Sequence, residues 1–203
     1  MAGERRRKLP KAERRGQLLE MAHAIVREDG TDALTLARVA ERAGVSKPIA
    51  YEHFGTRAGL LMALFKDIDD HHLHTLNEAL ARAPARLEEV ARVAAATCMA
   101  CYAECGPDAL AIASALSGDD EMDAFHQGLM DAYVNLYCEV LAPYCGLPAE
   151  ALHMYCAGFV GAAEGLSREL LRGRIGQADA AAILASTIVA TLSADRDPRP
   201  PAD

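Results

Sequence analysis

The sequence contains no tryptophan, and its aromatic residues make up only 5% of the chain. It also lacks the strict apolar–polar alternation that half-buried β-strands require. Its apolar residues, mainly alanine and leucine, recur at helical spacing instead, and glycine and proline fall mainly between these periodic segments. These features predict an all-α protein of about nine helices.

Long apolar runs are absent as well. No stretch reaches about 18 consecutive apolar residues, so the sequence predicts no membrane-spanning helix. The basic N-terminus is not followed by the apolar segment of a secretory signal. We therefore expect a cytoplasmic protein with no membrane partner, whose six cysteines are reduced thiols.

Motifs of the common enzyme classes are also missing. The sequence has no glycine-rich nucleotide loop, no HExxH and no GxSxG, and no motif places a cysteine beside a histidine. We predict that the protein is not an enzyme and uses no cofactor. An enzyme or a helical adaptor without DNA binding remains a remote alternative.

The charges are distributed unevenly along the chain. The net charge is −8, but residues 1–57 hold twelve Lys and Arg against eight Asp and Glu. Residues 58–203 hold nine basic and twenty-one acidic residues. A basic head on an acidic body favours a protein whose N-terminal end meets a polyanion.

The spacing of helices and breaks predicts four segments. Glycine and proline between the helices mark most boundaries, and Gly106-Pro107 predicts a break between a fifth helix and a short sixth helix. The segments are a disordered basic arm (1–11), a helix-turn-helix domain (12–57), a larger helical domain (58–194) and a flexible tail (195–203).

The most informative stretch is a short helix, a glycine turn and a second short helix. Thr35 is predicted to cap the first helix, and Gly44 stands where the turn needs a left-handed residue. Ser46 is predicted to cap the second helix by accepting a hydrogen bond from the Ile49 amide. Pro48 is tolerated in the first turn of this helix, because the N–H group that proline lacks would have no intrahelical acceptor there. This arrangement is that of a DNA-binding helix-turn-helix.

The run Thr-x3-Val-Ala-x2-Ala-Gly-Val-Ser-x4-Tyr-x-His-Phe-x-Thr-Arg-x2-Leu, from Thr35 to Leu60, resembles the DNA-binding domain of TetR-type (tetracycline-repressor) regulators. The likeness covers about residues 12–62. It implies an N-terminal three-helix helix-turn-helix domain followed by a larger ligand-binding and dimerisation domain. It also implies a repressor that binds a palindromic double-stranded DNA operator as a homodimer and is released by a small-molecule effector.

The resemblance also implies which residues contact DNA. The start of the third helix carries a positive dipole, the Ser46 hydroxyl and Lys47, which all attract phosphate. The expected phosphate contacts are Thr35, Lys47, Tyr51, His53 and Arg57, and the residues nearest the bases are Lys47, Pro48 and Ile49. Because so few of these side chains donate hydrogen bonds, we expect DNA shape and dimer spacing to contribute to specificity. The basic arm either reaches an adjacent minor groove and contributes too, or is a solvated tail.

Soft and aromatic residues on apolar helix faces are candidates for an effector pocket, although each is also an ordinary core residue type. The candidates are Met99, Tyr102, Phe125, Leu129, Tyr133, Met154, Tyr155 and Phe159. Small residues in the eighth helix and apolar residues in the ninth predict a dimer interface, the alternative being that both helices pack inside one subunit. These residues are Gly158, Gly161, Ala162, Gly165, Ile183 and Ile188.

Two further clusters raise alternative functions. Cys98, Cys101 and Cys105 share one helix face, so with His126 they suggest a metal- or thiol-sensing regulator of the same fold. The competing interpretation is that cysteine here is a small core residue. The run of acids and histidines over residues 69–74 is interpreted as a solvated surface, because consecutive helical residues point about 100° apart.

Overall fold

The computed structural model describes residues 9–116 and 120–194, and these form helices joined by short loops, without a strand. The all-α prediction is confirmed. Residues 1–8 of the predicted arm and the whole predicted tail, residues 195–203, lie outside the described residues. The α-helices are α1 Lys11–Asp29, α2 Leu36–Arg42, α3 Lys47–Phe54, α4 Arg57–Arg82, α5 Leu87–Leu116, α6 Asp120–Leu141, α7 Ala149–Leu171 and α8 Gln177–Ala194. Single 3₁₀ turns lie at Thr31–Ala33 and Ala142–Tyr144.

The first three helices pack around a small apolar core at the N-terminal end. Leu18 and Ile25 of α1 and Val39 of α2 are fully buried in it. The first turns of α4 contribute Leu61, and α5 contributes Ile112 near its C-terminal end. This N-terminal core therefore holds the short α2 and α3, which are too short to be stable helices alone.

A second, larger core fills the body of the protein. The alanine-rich α5 runs through it, and the buried face of α8, including Leu184 and Ile188, packs against α5. Phe159 of α7 and Tyr137 of α6 close the other sides. Small side chains on α5 allow these helices to approach closely, which explains why alanine rather than aromatic residues dominates the composition.

Helix α4 belongs to both cores. Leu60 and Leu64 are fully buried in the N-terminal core, and Leu76, three turns later, is fully buried in the body core. Between them, Asp69 and His72 are also buried. A helix of this length spans about 39 Å, so α4 connects the two ends of the molecule directly.

The predicted break at Gly106-Pro107 is wrong, because α5 continues through both residues to Leu116. Gly106 is buried against α7, where an added Cβ would lie 2.4 Å from the Leu171 Cδ2 atom. The glycine therefore serves close packing rather than a turn. Burial of α5 on both sides of this point outweighs the one helical hydrogen bond that a proline removes.

Helices α7 and α8 each leave one face exposed. On α7, a stripe of Met154, Gly158 and Gly161 lies opposite the buried face, and on α8 the side chain of Ile183 is 46% exposed. By length and mean hydropathy α8 meets the criteria for a membrane-crossing helix, with 22% of it buried. Counting consecutive apolar residues in the sequence therefore underestimated how apolar α8 is. The inner face of α8 packs against α5 and α7.

The junction between α3 and α4 depends on Gly59. A Cβ added there would lie 2.2 Å from the Phe54 carbonyl oxygen, a backbone atom that cannot move aside locally. The Gly59 amide also donates to the Thr56 hydroxyl at 3.0 Å, which caps α4. The glycine therefore lets α4 start directly beneath the end of α3.

We predict that Gly59→Ala lowers the free energy of unfolding by about 1–3 kcal/mol, because the new methyl group forces α3 and α4 apart. Gly16→Ala is the matched control: it also lies in a helix, but nothing stands within 4 Å of its added Cβ. That change should stabilise by about 0.5–1 kcal/mol through the lower entropy of the unfolded chain. Urea denaturation of both variants is the measurement, and equal effects would contradict the close approach.

Candidate nucleic-acid interface and internal cavity

The turn between α2 and α3 has a defined geometry. Gly44 adopts a φ of +65°, as the sequence predicts. Its amide donates to the Glu41 carbonyl at 3.0 Å, and the Val45 amide donates to the Ala40 carbonyl at 2.9 Å. This pair of bonds is a Schellman motif, which satisfies the last carbonyls of α2 and sets the angle at which α3 leaves.

Helix α3 buries one face and exposes the other. Ala50 and Phe54, one turn apart, are 0% and 8% exposed and lie in the N-terminal core. Lys47, Pro48 and Tyr51 are exposed together on the opposite side. The packing of the buried pair therefore presents a short helix whose free face carries a cation and a phenol.

The predicted Ser46 side-chain cap is wrong. The Ile49 amide donates to the backbone carbonyl of Ser46 at 3.0 Å, and the Ser46 side chain makes no capping bond. The serine hydroxyl is exposed at the start of α3, so it is available to an external acceptor. Ile49 is half-buried against the N-terminal core, and only part of its side chain faces outward.

Two threonines cap the helices that flank α3. The Thr35 hydroxyl accepts from the Arg38 amide at 3.1 Å, and the Thr56 hydroxyl accepts from the Gly59 amide at 3.0 Å. Both residues are exposed. Each hydroxyl oxygen is used as an acceptor, so its hydrogen remains as a donor toward a phosphate. The phosphate contacts expected from the sequence do not include Thr56, although its position before α4 mirrors that of Thr35 before α2.

Arg57 is positioned differently from the other predicted contacts. Its guanidinium donates to the Leu34 carbonyl at 3.0 Å and to the Thr31 carbonyl at 2.6 Å. These bonds tie the start of α4 to the turn before α2, so Arg57 holds the frame of the domain. Its contact with phosphate stays a prediction, to be made with the donors left over.

His53 lies half-buried at the end of α3. Burial lowers its pKa below the usual range, and the charge of Glu52 opposes that effect while Lys11 and Arg15 reinforce it. The imidazole is therefore mainly neutral near pH 7. As a neutral ring it can still donate one N–H to a phosphate oxygen.

The comparisons with known proteins agree with this geometry. Residues 18–64 match the family model of bacterial regulatory proteins, tetR family. The N-terminal part of the chain is therefore similar to this family. Over 81 residues it is 40% identical to the HTH-type transcriptional activator FasR of Mycolicibacterium smegmatis, covering 39% of this chain and 37% of that protein. Over 86 residues it is 37% identical to the HTH-type transcriptional regulator TtgR of Pseudomonas putida, covering 42% and 39%.

The chain thus spans about two fifths of the length of these curated relatives, which are named as transcriptional regulators and not as enzymes. The whole fold is similar to a solved tetR-family transcriptional regulator from Streptomyces coelicolor, with a TM-score of 0.72 and 21% identity. That likeness covers 93% of this chain and 85% of the other. The likeness in fold therefore extends through the body, beyond the N-terminal residues that match the family model.

The body of the protein contains a cavity of about 410 Å³ between α4, α5, α6 and α7. Its walls are mainly apolar and include four aromatic rings. These belong to Phe65, Tyr102, Tyr133 and Tyr137. Both its size and its apolar character are typical of small-molecule sites.

Buried polar residues of α4 line this cavity, which corrects the interpretation of residues 69–74 as a solvated surface. Asp69 is 6% exposed and His72 is 7% exposed, while Asp70, His71 and His74 do face solvent. Positions 69 and 72 lie one helical turn apart on the inward face. The acidic run thus spans two faces of α4, and only contacts across helices reveal which residues point inward.

The pKa values of Asp69 and His72 are both shifted in the direction that favours the uncharged side chain. Burial raises the pKa of Asp69, and a hydrogen bond from Tyr133 opposes this by favouring the carboxylate. Burial lowers the pKa of His72 to about 4. Its ring centroid lies 5.5 Å from that of Tyr133. The Asp69 Oδ2 and His72 Nδ1 atoms have no hydrogen-bond partner.

The predicted pocket residues fall into three places. Tyr102 and Tyr133 line the cavity. Met99 and Phe159 are buried in the body core, Leu129 is buried on α6, and Phe125 packs edge-on against Phe65 with centroids 6.5 Å apart. Met154 and Tyr155 are exposed on α7, so their placement in a pocket is wrong. Because α7 carries small alanine and glycine residues on several sides, its sequence does not indicate which face points inward.

The predicted dimer residues lie mostly on the outer surface of α7 and α8. Gly158 and Gly161 are exposed and Gly165 half-buried, and nothing stands within 4 Å of a Cβ added to any of the three. Ala162 is half-buried, and Ile183 is exposed. Ile188 is 1% exposed in the body core of its own protomer, so its assignment to an interface is wrong.

The three cysteines of α5 also line the cavity. Burial raises the pKa of Cys98 to about 12 and raises that of Cys101 as well, which suppresses the reactive thiolate form. Among residues 9–116 and 120–194, no three His, Cys, Asp or Glu side chains are grouped so as to hold a metal. The raised pKa values favour cysteine as a lining residue over a thiol sensor, and metal sensing stays an alternative.

We predict that Lys47→Ala weakens binding to DNA about equally for all sequences and reduces the slope of log affinity against log salt by about 1, because one phosphate contact is lost. Fluorescence anisotropy over a salt series is the measurement. Arg82→Ala is the control, since Arg82 is an exposed cation at the far end of α4, paired with Glu78. An unchanged slope for Lys47→Ala would remove Lys47 from the interface.

We predict that the wild-type protein loses stability as the pH falls from 6.5 toward 4. The unfolded chain takes up a proton at His72 near pH 6.5, whereas the folded chain resists it until about 4. His72→Gln should remove about 3 kcal/mol of this loss. Urea denaturation at pH 7.5 and pH 4 is the measurement, with exposed His74→Gln as the control. The raised pKa of Asp69 makes the folded state more stable as the pH falls, which opposes the effect of His72. Because Asp69 is present in all three proteins, its contribution cancels when they are compared.

Proposed function

We propose that this protein is a transcriptional regulator that binds palindromic operator DNA as a homodimer in the cytoplasm and is released by a small, mostly hydrophobic effector. The observation that carries the proposal is the free face of α3. Ala50 and Phe54 anchor that helix in the N-terminal core, while Lys47, Pro48 and Tyr51 face outward. A short anchored helix of this shape fits the major groove.

The surroundings of α3 favour contacts with the DNA backbone. The N-termini of α2, α3 and α4 carry the hydroxyls of Thr35, Ser46 and Thr56, all exposed. Helix N-termini and hydroxyl donors both suit phosphate oxygens. Glu52 is an exposed acid on the same helix. When phosphate contacts hold α3 in the groove, the Glu52 carboxylate would accept a hydrogen bond from a cytosine amino group and would disfavour other bases.

Dimerisation is supported by the exposed faces of α7 and α8. The stripe of Met154, Gly158 and Gly161 is apolar or small along its length, and Ile183 of α8 is exposed beside small residues. Such a surface allows a second copy of the same helices to approach closely. Two copies would place two α3 helices on one face, and we expect them about 34–36 Å apart for successive major grooves.

Coupling between effector and DNA is supported by α4. Its first turns pack beneath α3, and its middle lines the cavity with Asp69 and His72. An effector that fits the cavity only after α4 shifts would favour a state in which the two α3 helices are wrongly spaced. We propose that binding represses transcription. Since the relative FasR is named an activator, an in vitro transcription assay tests whether regulation is negative or positive.

Selection of bound DNA from a random duplex pool tests the proposal. We expect an inverted repeat whose half-site centres lie about 10 base pairs apart or a multiple of that spacing. No enrichment would reject DNA recognition and favour the helical adaptor. In vitro transcription from a promoter carrying the selected site should fall on addition of the protein, and a rise would assign activation instead.

The dimer has its own variant test. Gly161→Arg adds a long cation to open space in the protomer, so it should fold normally but exist as a monomer by light scattering and lose palindrome binding. Gly128→Arg is the matched control, since Gly128 is an exposed helical glycine of α6 with nothing within 4 Å of its added Cβ. A dimeric Gly161→Arg protein would place the interface elsewhere.

A further inference from the structure

The cavity carries an unsatisfied acceptor on its α4 wall. The Tyr133 hydroxyl donates to the Asp69 carboxylate, but the Oδ2 atom of Asp69 has no partner. One turn along, the Nδ1 atom of His72 also has none. Both side chains are more than nine-tenths buried. Buried polar atoms are nearly always paired in folded proteins, so these two atoms are places for an external hydrogen-bond donor.

The charge balance of the walls is negative. The described lining residues include three carboxylates, those of Asp69, Asp123 and Glu164, and a single fixed cation, Arg168. Arg168 is itself close to Glu164, with 3.9 Å between its guanidinium nitrogen and the carboxylate oxygen. Around Asp69 there is consequently no cation on the cavity wall to complement the carboxylate in the described residues.

The rest of the wall suits an aromatic or aliphatic body. The rings of Phe65, Tyr102 and Tyr137 face the same space as Tyr133. Aromatic faces attract organic cations through their quadrupole and also bury apolar surface. The cavity therefore offers an apolar volume with one acidic end.

We propose that the effector is a lipophilic amine, bound with its protonated nitrogen against Asp69 and one N–H directed to the Nδ1 atom of His72. This assignment rests on the proposed function, whose effector it specifies. The ammonium group supplies a positive charge within the cavity, in addition to that of Lys66, which is not a lining residue and pairs with Asp70. It also supplies the N–H donors that both unpartnered atoms need. Burial favours the neutral form of His72, and the tautomer with its proton on Nε2 leaves Nδ1 as an acceptor.

Other head groups fit this site less well. A carboxylate would meet the negative charge of Asp69. A neutral alcohol supplies one donor and no charge, so it leaves either Asp69 or His72 unpaired. A quaternary ammonium supplies the charge but no N–H. The order expected from the geometry is therefore protonated amine, then quaternary ammonium, then alcohol, then carboxylate.

Calorimetric titration of the DNA-free full chain with four ligands that share one ring tests this order. The probes are naphthylmethylamine, its trimethylammonium analogue, naphthylmethanol and naphthoate. We expect the amine to bind at least about tenfold more tightly than the alcohol, since a hydrogen bond to a charged group contributes that much. Naphthoate binding as tightly as the amine would overturn the proposal without any variant.

Asp69→Asn tests the residue that carries the proposal. It keeps the shape and the oxygen that accepts from Tyr133, so it should fold, as a thermal melt can verify. We expect the preference for amine over alcohol to fall at least about fivefold. Asp70→Asn is the control, an exposed acid on the same helix paired with Lys66. A preference retained in Asp69→Asn would overturn the assignment.

Gel shift of the same protein with its selected DNA separates this inference from the proposed function. Amine binding that depends on Asp69 supports the ligand class whether or not DNA is bound. DNA binding without an amine preference rejects the ligand class and leaves the regulator standing. Amine binding that fails to release DNA rejects the sensing role of the cavity and leaves the ligand class standing.

Discussion

Helix α4 is the constraint on which the other features depend. Its first turns, with Leu60 and Leu64, complete the core that holds α3, and its middle forms a wall of the cavity. A single helix cannot bend sharply without breaking its hydrogen-bond ladder. In the proposed mechanism, a displacement at Asp69 would therefore be transmitted to the base of α3. Arg57 and Gly59 fix how α4 joins the N-terminal domain, one through bonds to carbonyls and one by allowing close approach.

The polar groups at α3 and those in the cavity differ in their access to water. At α3 the Lys47 ammonium is exposed, where phosphate can replace water at little desolvation cost. In the cavity, Asp69 and His72 are held away from water, and burial is the largest cause that shifts both pKa values toward the neutral forms. An apolar site that retains such groups sacrifices stability, because each group was better solvated in the unfolded chain. Residues of this kind are expected where a ligand supplies the missing partner.

Helix α5 illustrates how packing overrides local preference. Gly106-Pro107 has the composition of a helix end, yet the helix continues because Met99 before it and Ile112 after it are buried in the two cores. Removing one backbone hydrogen bond costs less than exposing two apolar segments. The same helix places its cysteines against the cavity, where desolvation raises the pKa of Cys98 and makes its thiol unreactive.

Local patterns in the sequence were enough to predict the helix-turn-helix. Caps, the left-handed Gly44 and apolar spacing act over three or four residues, so the Thr35 cap, the turn and α3 follow from the amino-acid sequence alone. The prediction failed for Ser46, Met154 and Ile188, and it missed Asp69 and His72. For the helical residues among these, the outcome depends on which face of a helix a distant helix covers. Small alanine and glycine side chains give several equivalent faces, and only the packing of α4 to α8 chooses between them.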